Sequence, residues 1–251
     1  SFKPIVYARA FEKGYLPETV LFDIPTQFGA CGAFDRSSTP PCYAPDNYDN
    51  KFTGPISLRN ALGQSRNVPA VQLLSMIGLP DALTTAKNLG LTTLDRDGSR
   101  YGLTLVLGGG EVSLLDMTSV YGVFANEGVR NPVTGILEVI DNNGTTLEKM
   151  TPHPETVMDA NATRNLSSVL SDNVARTPLF GANSFFFFPD RQVAGKTGTT
   201  NSNKDAWVFG YTPSIAVGVW SGNNDNTPMK KGSSISGAAW RTYMDAAVKK
   251  L

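Results

Sequence analysis

The order of elements in this sequence predicts an α+β domain, a mostly helical lobe beside an antiparallel sheet with a helix packed on it. Three observations carry that expectation. Helix starts and stops crowd residues 57–128. Three strand-like runs, 191–199, 205–212 and 214–221, are joined by connections too short for parallel crossovers. An amphipathic stretch from about 238 to 250 closes the chain, with Trp240, Tyr243, Met244 and Val248 on or near one side.

Taken in order, residues 2–13 predict a helix, because Phe2, Ile5, Val6 and Phe11 share a face and Gly14 suits its end. Pro4 is tolerated in a first turn. Residues 15–56 hold six prolines (17, 25, 40, 41, 45 and 55) and little periodicity, so they read as a long functional rim. Ser57 caps a short helix through Leu62, and after a break Pro69 opens a helix that Gly78 ends. A further helix runs from about Pro80 to Leu89. Gly108-Gly109-Gly110 is an elbow, and Ser113 caps a helix to about Asn126. The stretch 129–251 then turns to strands. Residues 136–147 predict a hairpin through Asn142-Asn143-Gly144. A helix follows over about 158–171, and the Phe185–Phe188 tetrad reads as core or wall packing.

Composition narrows the function classes. With 41% hydrophobic and 18% charged residues in 251, the chain is long and apolar enough to bury a core. Lys+Arg and Asp+Glu both number 22, and no basic stripe appears, which argues against nucleic acid as the main partner. Cys31 and Cys42 lack metal-ligand spacing and only one histidine, His153, is present, so neither a zinc site nor a cofactor is expected. Outside the cytoplasm the two cysteines are placed for a local disulfide, the alternative being two unrelated thiols.

Three short motifs carry chemistry. Lys196-Thr197-Gly198-Thr199 lies in a strand, with Lys196 and Gly198 on one face and Thr197 and Thr199 on the other. A glycine inside a strand marks a close approach to the backbone, and a strand edge with an ammonium suits an extended substrate that ends in a carboxylate. Ser65-Arg66-Asn67 sits at a helix break. A hydroxyl and an amide there serve either catalysis or helix capping, and taken alone the capping role has the better odds. Lys3 needs a serine three residues earlier to share a helix face with it. Ser1 is only two residues earlier and is a poor candidate for nucleophile.

In order and spacing these motifs resemble the serine–lysine, Ser-x-Asn and Lys-Thr-Gly set of penicillin-recognising acyltransferases. Essentially the whole chain is similar to the transpeptidase domain of class A (bifunctional) penicillin-binding proteins. The likeness extends to Asn47–Phe52, Leu58–Leu62, Asn67–Val71, Gly108–Val112, Asp205-Ala206-Trp207 and Gly210–Pro213.

The resemblance implies the penicillin-binding protein/serine β-lactamase-like transpeptidase fold over residues 1–251. It places the nucleophilic serine immediately before Ser1, so residues 1–251 by themselves would be inert and short of the family's first strands. Lys3 would be the general base and Ser65 a proton relay beside Lys196. Asn67 would hold the substrate amide, and Thr197, Gly198 and Thr199 the substrate's end. The implied partners are peptidoglycan stem peptides ending in D-Ala-D-Ala, β-lactam antibiotics, and an upstream part of the same protein that carries a membrane anchor and a glycan-polymerising domain. The implied place is the extracytoplasmic face of a bacterial membrane. A D,D-carboxypeptidase or β-lactamase of the same fold, or a non-catalytic penicillin-binding scaffold, stands as the alternative.

Overall fold

The computed structural model describes every residue except 96, 97, 99, 201, 202 and 231, the first three falling in the expected helical stretch 57–128 and the others in 129–251. In chain order the elements are α1 (Lys3–Glu12), β1 (Val20–Asp23), β2 (Gly54–Ser57), α2 (Leu58–Gly63), α3 (Val68–Ile77) and α4 (Leu79–Asn88). A 3-10 helix (Gly102–Leu107) leads to α5 (Leu114–Ala125), β3 (Val129–Arg130), β4 (Glu138–Ile140), β5 (Thr146–Lys149) and β6 (Glu155–Thr156). Then come α6 (Ala160–Ser171), α7 (Asn173–Phe180), β7 (Ala194–Thr199), β8 (Asp205–Thr212), β9 (Ile215–Gly222) and α8 (Ser233–Ala247).

The main sheet is antiparallel in the order β7-β8-β9. Its two faces follow the strand alternation. Ala194, Phe209 and Tyr211 join the large core with α1 and α5. Val208 points the other way, into a second core with Phe186, Phe188, Trp240 and Met244 beneath α8. Trp240 is fully buried and its indole Nε1 donates to the Val217 carbonyl at 3.1 Å, which seats α8 on β9. The phenylalanine tetrad is therefore wall packing, with Phe186 edge-on to Trp240.

α1 runs through the centre of the large core. All of its residues except Arg9 and Glu12 are buried, because α6 packs against one side and α3 and α4 against the other. A helix enclosed in this way needs apolar residues all round rather than one stripe. That makes a buried Lys3 in its first turn conspicuous.

Several expectations need correction. The proline-rich stretch 15–56 contains β1, which pairs antiparallel with β2 from Val20↔Ser57 to Asp23↔Gly54. The strand expected over 191–199 begins at Ala194. The closing helix begins at Ser233, five residues before 238, and ends at Ala247. α7 was not expected at all. Ser57 and Ser113 do cap their helices, accepting from the Asn60 and Asp116 amides at 3.3 and 3.0 Å. Cys31 and Cys42 are joined as a disulfide in the rim. His153 sits in an exposed loop.

Both glycines of β7, Gly195 and Gly198, answer to close approaches, on opposite faces. A Cβ at Gly195 would lie 2.3 Å from the Phe186 ring. Overpacking of this kind costs about 1–3 kcal/mol. Gly195→Ala is therefore expected to lower the unfolding free energy by about that much in a denaturant titration.

Candidate active site

Three elements bring Lys3, Ser65, Asn67 and Lys196 together. Lys3 opens α1, Ser65 and Asn67 lie in the turn between α2 and α3, and Lys196 sits on β7. Lys3 Nζ donates to the Ser65 carbonyl at 2.6 Å and to Asn67 Oδ1 at 2.7 Å, with Ser65 Oγ at 3.4 Å. Lys196 Nζ donates to the same Ser65 Oγ at 2.7 Å and to the Thr197 carbonyl at 2.9 Å. One hydroxyl thus lies between two ammonium groups.

The turn that presents Ser65 is strained. Ser65 has φ +55°, a left-handed conformation that side-chain-bearing residues adopt at a cost of roughly 1–3 kcal/mol. Backbone bonds from Ser65 N to the Leu62 carbonyl and from Arg66 N to the Ala61 carbonyl close the turn. The Lys3 ammonium on the Ser65 carbonyl holds it from the other side.

Asn67 occupies the N-cap position of α3, but its side chain makes no capping bond, contrary to the expectation for that residue type. Asn47 takes that role instead. Its Oδ1 accepts from the Asn67 and Val68 amides at 2.8 and 3.3 Å. The Asn67 side chain is thereby free to face Lys3, while its Nδ2 donates to the Asp46 carbonyl at 2.8 Å.

Asn47 is held in turn by Asp23, which is fully buried at the end of β1. Asp23 Oδ1 accepts from Asn47 Nδ2 at 2.7 Å, and Oδ2 accepts from Thr53 N and Oγ1 at 3.1 and 3.0 Å. Arg66 Nε lies 3.6 Å from Asp23 Oδ2, an ion-pair distance too long for a hydrogen bond. Arg66 Nη1 donates to Asp49 Oδ1 at 2.8 Å. Sequence reasoning missed Asp23, and quoted Asn47 only within a family-like segment. The signal for both lay in the unrecognised β1–β2 pair, which carries Asp23 to the turn.

Charge sets the site's chemistry. Lys3 and Lys196 are 6% and 4% exposed, and each of their hydrogen-bond partners is a neutral oxygen. Burial pulls Lys196 down to about 7. Burial and then the Lys196 charge hold Lys3 well below the usual lysine range. Near neutral pH the pair therefore sheds a proton readily, and a neutral amine is a base. Both lysines are lowered in the folded state, so between the folded values and the ordinary lysine range, about 10.4, the unfolded chain holds more protons. Their burial is thus most costly to stability below the folded values, which for Lys196 is about 7, and the cost fades as pH rises from there toward the ordinary lysine range.

On the helical side of β7, a Cβ at Gly198 would fall 2.3 Å from Ser1 Oγ and 2.6 Å from Ser1 N. Only glycine lets the strand come this close to the start of α1. The Ser1 carbonyl accepts from the buried Tyr121 hydroxyl at 3.1 Å, and Ser1 Oγ is buried without a partner among the described residues. Thr197 is buried and Thr199 exposed. Thr199 lines a cleft of about 400 Å³ with Ser1, Gly198, Trp207, Trp220 and Glu111. Among the described strands β7 pairs only with β8, so its outer edge is open beside the cluster.

The α+β scaffold thus presents an open sheet edge against which two buried lysines share one serine. The model of the penicillin binding protein transpeptidase domain matches residues 1–245. The chain is 34% identical over 250 residues to penicillin-binding protein 1A of Aquifex aeolicus (strain VF5), covering 98% of this chain and 32% of that protein. It is 31% identical over 258 residues to penicillin-binding protein 1A of Neisseria meningitidis serogroup A, covering 99% and 31%. Among solved structures, penicillin-binding protein 1A of Haemophilus influenzae aligns with TM-score 0.83 at 26% identity, over 99% of this chain and 41% of that one. PonA1 of Mycobacterium tuberculosis, at TM-score 0.82, 22% identity and coverage of 99% and 68%, shares the fold. The chain belongs to the penicillin-binding protein transpeptidase domain family, and it spans about a third of the length of the curated relatives it matches.

Proposed function

We propose that this chain is the domain of a peptidoglycan D,D-transpeptidase that crosslinks stem peptides through a serine acyl-enzyme, and that β-lactams acylate the same serine. The observation that carries this reading is the pair of buried lysines on Ser65 Oγ beside the open edge of β7.

In the proposed reaction the serine preceding Ser1 attacks the carbonyl between the two terminal D-alanines. Its proton passes to neutral Lys3. The backbone amide of Thr199 and that of the serine itself stabilise the oxyanion. Collapse breaks the peptide bond, and the leaving D-alanine amine takes a proton relayed through Ser65. An amine of a neighbouring stem peptide then attacks the ester, and its proton returns the serine to a hydroxyl. Asn67 holds the substrate amide, while Thr197, Gly198 and Thr199 receive its terminal carboxylate with Lys196 close by.

The rest of the protein, in this proposal, supplies a membrane anchor and a glycan-polymerising domain that hold this one at the extracytoplasmic face. No helix among the described residues is long and apolar enough to cross a membrane.

The test is labelling of the full-length protein with a fluorescent penicillin, followed by peptide mass mapping. The adduct is expected on the serine preceding Ser1, and an adduct elsewhere or none overturns the reading. The labelling rate is expected to rise as pH increases toward the usual lysine range, because Lys3, held well below that range by burial and then by the Lys196 charge, acts as a base only when neutral. A rate that falls over that range argues against a lysine base. Crosslinked product from a stem-peptide donor and acceptor separates a transpeptidase from a carboxypeptidase or β-lactamase, which release hydrolysed product alone.

A further inference from the structure

A second cavity, of about 450 Å³, opens at the other end of β7, between α6, α7 and the segment before the strand. Arg176 of α7 lines it and is 4% exposed. Its Nε donates to the Asp172 carbonyl at 3.3 Å and its Nη2 to the Val193 carbonyl at 3.2 Å, while Nη1 is buried with no partner among the described residues. Its guanidinium lies 5.4 Å from the centre of the Phe186 ring. Asn173, also in the lining, spends its Nδ2 on the Ala182 carbonyl at 2.9 Å and leaves a buried Oδ1 unpartnered.

A buried charge with no carboxylate at ion-pair distance is costly, and burial pulls Arg176 down to about 10 despite the nearby Asp172 charge, which raises it. Two further arginines line the cavity, but both are occupied. Arg59 meets Glu18 at 2.9 Å and Asp172 at 3.4 Å, and Arg191 meets Asp190 at 2.7 Å. Three arginines thus face three carboxylates, so no surplus field favours a dianion. What remains unmet is one charged donor and one neutral acceptor, beside the half-exposed ring of Phe187.

We infer that this cavity binds a carboxylate with a hydrogen-bond donor next to it, the pattern of an N-acylated amino acid or a peptide C-terminus. The carboxylate sits on Arg176, the adjacent N–H donates to Asn173 Oδ1, and the carbon skeleton lies on Phe187. Through the Val193 carbonyl the ligand is one residue from the start of β7. The site is separate from the Lys3–Ser65–Lys196 cluster and does not depend on the reaction proposed there.

Isothermal titration of the full-length protein, saturated with penicillin to close the first site, tests this with N-acetylglycine as probe. N-acetylglycinamide and inorganic phosphate serve as controls. Saturable binding of N-acetylglycine is expected, with neither control binding comparably. Arg176→Gln is expected to weaken it about tenfold or more, as loss of a charge-assisted contact does, and Asn173→Ala to weaken it less. If Arg176→Gln does not fold, Arg176→Lys with Asn173→Ala decides. Absence of saturable binding, an equal response to the amide, preference for phosphate, or full affinity in these variants each overturns the inference. If penicillin does not acylate the protein, the same titrations on the unmodified protein still test this site, because Arg176 and Asn173 both lie outside the first site and binding there would not weaken in both variants.

Discussion

Lys3→Met in the full-length protein is expected to slow β-lactam acylation by roughly a hundred- to ten-thousand-fold, the range of a lost general base, without lowering thermal stability. The two halves of that expectation have separate causes. Activity should fall because Lys3 is the base of the proposed reaction, held by the Ser65 carbonyl and Asn67 Oδ1, and because the strained Ser65 turn loses its outer support. Stability holds because a Lys3 buried without a carboxylate beside Lys196 is costly in either form, as a desolvated ammonium or as an amine that has given up its proton. Removing it relieves that cost, which offsets the lost hydrogen bonds. Methionine keeps the length of the stem, so no large cavity opens in α1. The measurements are the second-order acylation rate and the melting temperature. A melting temperature that drops together with the rate would assign Lys3 a structural part instead.

Much of this arrangement was legible in the residues, and the misses have physical reasons. Lys196 and Gly198 were readable as one face of an edge strand because strand alternation is local. The contact that makes Gly198 obligatory, Ser1 against its backbone, joins residues almost two hundred positions apart in the chain. Ser65 and Asn67 looked like caps because capping preferences are local too. Asn47 takes the cap from a loop some twenty residues upstream, which no local pattern reveals. The β1–β2 pair was hidden because each strand has only four residues and β2 includes Pro55. α7 was hidden because Pro178 lies within it, where a proline removes a backbone donor and usually breaks a helix. Here the Asp172 side chain caps the start, accepting from the Ala175 amide at 3.0 Å, and the helix ends two residues past the proline. α8 starts early because Ser236 is bound to the Ala206 carbonyl of β8 at 2.9 Å, a long-range contact absent from helical periodicity.

The longest chain of dependence in the site ends at Asp23, and its removal is the second large effect expected. Asp23→Ala strips the acceptors from Asn47 Nδ2 and from Thr53 N and Oγ1, and takes away the carboxylate nearest Arg66 Nε. Arg66, 6% exposed, keeps Asp49 as its remaining carboxylate. Removing one partner from a buried ion pair costs about 3–5 kcal/mol, which is a large part of a domain's stability. The damage should also reach the chemistry. Asn47 positions the Asn67 and Val68 amides, and Asn67 positions Lys3, so a loosened Asn47 blurs the Lys3–Asn67 contact. The expected result is a fall in unfolding free energy of about that size, with a lower acylation rate in whatever fraction remains folded. Arg66→Met alone removes the cation and should also destabilise. The double variant Asp23→Ala with Arg66→Met should lose less than the sum of the two, because no uncompensated charge is left behind. Strict additivity would show that Asp23 and Arg66 act independently, and an Asp23→Ala protein that is unstable but acylates at the normal rate would uncouple this network from the placement of Lys3.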